Sequence, residues 1–104
     1  MNAIKVTREN MAELAPKLAL LSEEVLFGDI WQREALSPRD RSLVTVSALI
    51  ALSRHEQLDW HLQFARKNGV SDEEITEVIT HLAFYCGWPN AVSALTVFKN
   101  AQPE

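Results

Sequence analysis

His61 and His81 are the two side chains best suited to moving a proton near neutral pH, because imidazole titrates there. Both lie in the stretch from Leu36 to Pro89, which also contains a nearly all-apolar helix. Each has a structural alternative. His61 stands beside a leucine stripe, as a core histidine bonded to a neighbouring helix would, and His81 flanks an apolar face where a polar interface residue also fits. Cys86 is the only cysteine, so a thiol-disulfide cycle within one chain has no second thiol. A single cysteine on an apolar helix face is more simply an inert core residue. His55, His61 and His81 lack the spacing of two histidines four apart that sets ligands on one helix face, so no metal site is expected.

Helices must position these groups, since nothing in the chain alternates strongly enough to argue for a sheet. Thr7 or Asn10 is predicted to open a first helical region carrying Met11, Leu14, Leu18, Leu21 and Val25 at helical spacing. Pro16 should split or kink it, and it should end near Gly28. Ser37 followed by Pro38 is a cap and first turn for a helix running to about Ser53. From Leu43 to Leu52 that helix is apolar on nearly every side, which predicts a central helix touched by neighbours all round. A third helix is expected from near His55 to before Gly69, with Leu58, Leu62 and Ala65 as its stripe and His61 and Phe64 beside it. Ser71 to Glu74 is a capping box that opens a fourth helix burying Ile75, Val78, Ile79, Leu82 and Cys86. Gly87-Trp88-Pro89 breaks it before a fifth helix from about Asn90 to Lys99, and the tail AQPE should fray.

The chain of 104 residues fits a single domain, 1–104, of all-α class. A domain this small buries a modest share of its surface alone, yet 47% of its residues are hydrophobic, so help from a partner subunit is expected. Its net charge of −4 comes from mixed acidic and basic residues with no basic run, which argues against a nucleic-acid or membrane-surface partner. The longest apolar stretch falls far below the roughly 18 residues of a membrane span. The N-terminal residues MNAIKVTRENMAEL do not form a basic segment followed by an apolar core, so no secretion signal is expected. With a lone cysteine, the cytoplasm is the expected compartment.

Two segments, LSPRDRSLVTVSALIAL and QLDWHLQFARKNGVSDEEITEVITHLAFYCGWPNAVSAL, closely resemble the carboxymuconolactone decarboxylase family of the AhpD-like superfamily. The resemblance spans roughly Phe27 to Leu95. Its most specific elements are Asn68-Gly69, the Glu74 capping position and Tyr85-x-Gly87-Trp88-Pro89. It implies an AhpD-like helical protomer of about five to six helices, assembled as a homotrimer or homohexamer with pockets near the subunit contacts.

Two chemistries are implied. The peroxidase branch uses a Cys-x-x-Cys-x-x-x-His stretch; with its histidine on His61, the cysteine positions fall on Arg54 and Gln57, and an acidic relay residue would fall near Ser42. An AhpD-like hydroperoxidase would therefore have to use Cys86. The decarboxylase branch needs no cofactor and acts on a small carboxylated lactone or related acid. Loss of CO2 pushes electron density into the lactone carbonyl, so the site needs a donor to the developing oxyanion and an acid to reprotonate carbon. Histidine can be that acid, as His61 or His81. Arg39 and Arg41, in the first turn of the central helix, could grip a carboxylate, although salt bridging with Asp40 would also account for them. Tyr85 and Trp88 could wall the pocket, or serve as core or interface aromatics. A third possibility is an oligomeric helical protein with no catalysis.

Overall fold

The computed structural model describes residues 4–101. The all-α expectation holds, with six α-helices and, among the described residues, no strand. The chain forms two compact units, Met1–Ala35 and Leu36–Glu104.

In the N-terminal unit, Asn10 closes a turn, its Oδ1 accepting from the Thr7 amide at 2.8 Å and its Nδ2 donating to the Lys5 carbonyl at 3.0 Å. Pro16 splits the region as expected, leaving α1 (Met11–Leu14) and α2 (Pro16–Leu21). A π-helical turn, Ser22–Leu26, continues α2, and a 3-10 turn, Ile30–Gln32, follows. The predicted stripe of Leu14, Leu18, Leu21 and Val25 is exposed, and Trp31 is this unit's one buried hydrophobic residue among those described.

The second unit holds α3 (Pro38–Ala51), α4 (His55–Lys67), α5 (Asp72–Tyr85) and α6 (Trp88–Asn100). Ser37 opens α3 by accepting the Asp40 amide on its hydroxyl at 3.1 Å, with Pro38 in the first turn. After Leu52 the chain reverses through Ser53 at φ 58°, whose hydroxyl donates to Asn90 Oδ1 at 2.6 Å and so fixes this turn to the start of α6. At the end of α4, the Gly69 amide reaches the Arg66 carbonyl and the Val70 amide the Ala65 carbonyl, the paired bonds of a Schellman cap, with Gly69 at φ 97°. The Ser71–Glu74 capping box forms in both directions, each bond 3.0 Å. Gly87 at φ 101° ends the hairpin between α5 and α6, and α6 begins at Trp88 rather than Asn90 because Pro89 fits the first turn, where its missing amide costs nothing.

α3 packs against α4, α5 and α6, α5 also against α6, and α4 also against α6. Val46 and Ile50 from α3, Leu58, Leu62 and Ala65 from α4, Ile75 and Ile79 from α5, and Ala91 and Ala94 from α6 form one core with Val70 and Ala101. Each fully buried Ile or Leu contributes roughly 1.5–3 kcal/mol relative to its exposed state.

Two expectations are corrected. α3 is central but not enclosed, since Val44 and Leu52 are 60% and 65% exposed; its apolar run exceeds what three neighbouring helices cover. The tail is not frayed at its start, because Ala101 is buried and its amide bonds the Val97 carbonyl at 2.9 Å. The rest of the AQPE segment lies outside the described residues.

Candidate functional site

In the second unit, α3 and α5 diverge around an open cleft of about 400 Å³. Leu43 and Ser47 line it from α3, and Glu74, Glu77, Val78, His81 and Leu82 from α5. The spacing of these residues explains the arrangement. Positions 74, 77, 78, 81 and 82 recur at three and four along one helix face, one step around from the buried Ile75 and Ile79. Leu43, Val78 and Leu82 give the cleft apolar walls, and Ser47, Glu74, Glu77 and His81 are its polar groups.

His81 is an exposed cleft residue whose ring stacks on Tyr85, centroids 4.8 Å apart and planes 28° from parallel. Glu74 is fully committed: one carboxylate oxygen accepts the Ser71 amide and the other the Arg39 guanidinium. Arg39 also approaches Asp40 at 3.6 Å. It therefore stands beside Glu74, held by an ion pair to α5 as well as by the Asp40 pairing that the sequence offered as the alternative to a substrate contact.

His61 has a different environment. It lies half-buried on α4, edge-on to Trp60 with ring centroids 4.8 Å apart, and Phe64 lies beyond at 6.2 Å. Burial pushes its pKa below the ordinary histidine value, since the charged imidazolium loses solvation. It does not line the cleft, so the structure does not bring the two histidines into that one cavity. Arg39, Arg41, Tyr85 and Trp88 are also absent from the cleft lining. Trp88 is 65% exposed and meets Phe84 edge-on at 6.3 Å. The Arg41 carbonyl accepts the Thr45 hydroxyl at 2.8 Å.

Leu43, Ser47 and Glu77 are cleft residues that the sequence did not single out. The only available signal was spacing: Glu77 precedes His81 by one helical turn, and Ser47 interrupts an apolar run. A depression of about 450 Å³ in the N-terminal unit, lined by Arg8, Glu9, Met11, Ala12, Ala19, Ser22 and Glu23, holds none of the expected site residues. Among the described residues, no three of His, Cys, Asp and Glu are grouped to hold a metal ion. Among the described residues, no helix is long and apolar enough to cross a membrane.

The positions where the resemblance sets cysteines carry no thiol. Arg54 and Gln57 occupy the two cysteine places, and the relay place near Ser42 is a buried hydroxyl that accepts from Asn68 Nδ2 at 3.0 Å. That bond ties the Asn68-Gly69 motif to α3. Cys86 is half-buried at the end of α5, its thiol donating to the Leu82 carbonyl at 3.1 Å.

The Carboxymuconolactone decarboxylase family profile matches residues 16–100. The chain belongs to this family. Among family relatives, it is 33% identical over 96 residues to a 4-carboxymuconolactone decarboxylase from Acinetobacter baylyi, covering 88% of this chain and 72% of that protein. It is 38% identical over 77 residues to a nitrosuccinic acid decarboxylase from Metarhizium robertsii, covering 74% of this chain and 54% of that protein. The chain thus spans about half the length of the second relative.

Proposed function

We propose that this protein catalyses cofactor-independent decarboxylation of a small carboxylic acid in the α3–α5 cleft, with His81 as the proton donor. The observation that carries the reading is the position of His81 in an apolar-walled cleft, stacked against Tyr85. The names of the two decarboxylase relatives supply the reaction class. One substrate carries a lactone carbonyl and the other a nitro group, and either can receive the electron pair released with CO2. The proposed substrate class is therefore an acid whose carboxyl-bearing carbon is conjugated or adjacent to such an electron sink.

In the proposed mechanism, the apolar walls desolvate the carboxylate, and the carbon–carboxyl bond breaks as its electrons move into the sink. The Ser47 hydroxyl is the cleft donor for the developing oxyanion. His81 then protonates the carbon. Burial favours the neutral form of His61, so less of it carries the extra proton.

Association of identical chains belongs to the same proposal. From Leu82 to Phe98 there is no Asp, Glu, Lys or Arg, and Phe84, Tyr85 and Trp88 stand exposed on that segment. An uncharged, aromatic-rich face suits an interface core better than a solvated surface. A homotrimer or homohexamer would cover it; light scattering that finds a monomer at micromolar concentration would remove this part.

The test of the activity is CO2 release from 4-carboxymuconolactone and from nitrosuccinic acid. His81→Asn should lower kcat by about 100-fold or more, the scale of lost general-acid catalysis. Full activity in His81→Asn would reject His81 as the donor, and no release by the wild-type chain from either acid would favour the non-catalytic alternative.

A further inference from the structure

Glu77, His81 and Tyr85 follow one another at four-residue intervals on α5, so one helix face carries a carboxylate, an imidazole and a phenol in a column. Tyr85 covers the imidazole from the C-terminal side at 4.8 Å. Helical side chains lean toward the helix N-terminus, and one turn from His81 in that direction stands Glu77. Both residues line the same cleft.

The two cleft carboxylates differ in one respect. Glu74 has both oxygens engaged, by the Ser71 amide and the Arg39 guanidinium. Glu77 makes no hydrogen bond or ion pair among the described residues, and no Lys or Arg lines the cleft to take it. An unengaged carboxylate one turn from an imidazole is an acceptor for the ring N–H, and such a bond fixes which nitrogen faces the substrate.

Resting on the reading of His81 as proton donor, we propose that Glu77 is its positioning residue. By rotating about its side-chain bonds from the position seen here, the Glu77 carboxylate accepts a hydrogen bond from one ring nitrogen, Tyr85 holds the ring face, and the second nitrogen is left to protonate the substrate carbon. In the step itself the carbon–carboxyl bond breaks, its electron pair enters the carbonyl or nitro group, and CO2 leaves. The proton on the second nitrogen of His81 forms the new C–H bond, and solvent returns a proton to the ring. Glu77 touches neither substrate nor the transferred proton.

Glu77 is exposed, so its variants should keep the fold, checked by circular dichroism. Glu77→Gln and Glu77→Ala should lower kcat for nitrosuccinic acid by about 10- to 100-fold, the cost of a misaligned reacting group, while KM stays within about twofold. Glu77→Asp should recover part of the loss. Nitrogen-15 NMR of the His81 ring supplies a readout independent of turnover: the hydrogen-bonded N–H should exchange more slowly in the wild type than in Glu77→Gln. Unchanged kcat in Glu77→Gln beside an inactive His81→Asn overturns the role of Glu77 and leaves the His81 reading standing. Ring N–H exchange that is identical in wild type and Glu77→Gln overturns it whatever the activity. Full activity in His81→Asn removes the His81 reading itself and the role of Glu77 with it.

Discussion

The Arg39 guanidinium donates to the Glu74 carboxylate, joining the first turn of α3 to the first turn of α5. The same carboxylate completes the cap of α5 through the Ser71 amide. One side chain therefore closes a helix end and sets the edge of the cleft. Glu74→Ala should cost about 1–2 kcal/mol, because it removes a cap and an ion pair together. Glu74→Gln should cost less than about 1 kcal/mol, since a half-exposed pair is screened and the amide oxygen can still accept from Ser71. Urea unfolding of both variants checks the difference.

The lowered pKa of His61 makes stability depend on pH in a definite direction. Between that lowered folded value and the ordinary 6.5, the unfolded chain binds a proton that the folded chain does not. This contribution to stability is complete above pH 6.5 and is lost as pH falls through the window below it. Denaturant midpoints measured from pH 7.5 down to 5 should fall less steeply in His61→Gln than in the wild type. Parallel curves would mean that the His61 burial has no energetic consequence.

The core prediction rests on Leu62, which is fully buried on α4 between the stripes of α3 and α6. Leu62→Ala should destabilise the chain by about 2–5 kcal/mol, a large part of the roughly 5–15 kcal/mol available to a small domain. Loss of the cooperative thermal transition, or a fall in Tm of several degrees, is the expected reading; an unchanged Tm would contradict the assigned core.

Cys86 gives the prediction that separates the two family chemistries. Cys86→Ser should keep decarboxylation within about twofold of the wild type, since the thiol's hydrogen bond is to the Leu82 carbonyl of its own helix and the residue does not line the cleft. Hydroperoxide turnover that disappears in Cys86→Ser would instead assign the protein to thiol chemistry.

Gly69 should tolerate replacement for size but not for backbone conformation. A methyl group there meets nothing within 4 Å, yet φ is 97°. Gly69→Ala should therefore cost about 1–2 kcal/mol from backbone strain alone, measurable by chemical unfolding.

Helix boundaries in the second unit were legible because their signals are local. Ser37-Pro38, Asn68-Gly69, Ser71–Glu74 and Gly87 each act through bonds within a few residues, and each appears where expected. The N-terminal region was less legible: Leu14 to Val25 recur at helical spacing, but periodicity does not say whether an apolar face finds a cover, and these residues are exposed. The same limit applies to α3, whose Val44 and Leu52 remain outside the core. For the site, residue type identified both histidines, but only the packing of α3 on α5 reveals that His81 and not His61 lines this cleft. Ser47 and Glu77 are common helix-surface residues in the sequence, and nothing local distinguishes them from solvated neighbours.

Arg66 near the end of α4 donates to Asp72 at 2.6 Å, donates to the Ala101 carbonyl, and lies 5.2 Å from the Phe98 ring centre. One guanidinium thereby locks the last residue of the core to two other helices. For protein engineering, this makes Ala101 a boundary: a label or fusion partner attached beyond it should leave the bundle intact, whereas trimming the chain back past it releases Arg66 and opens the core at that end.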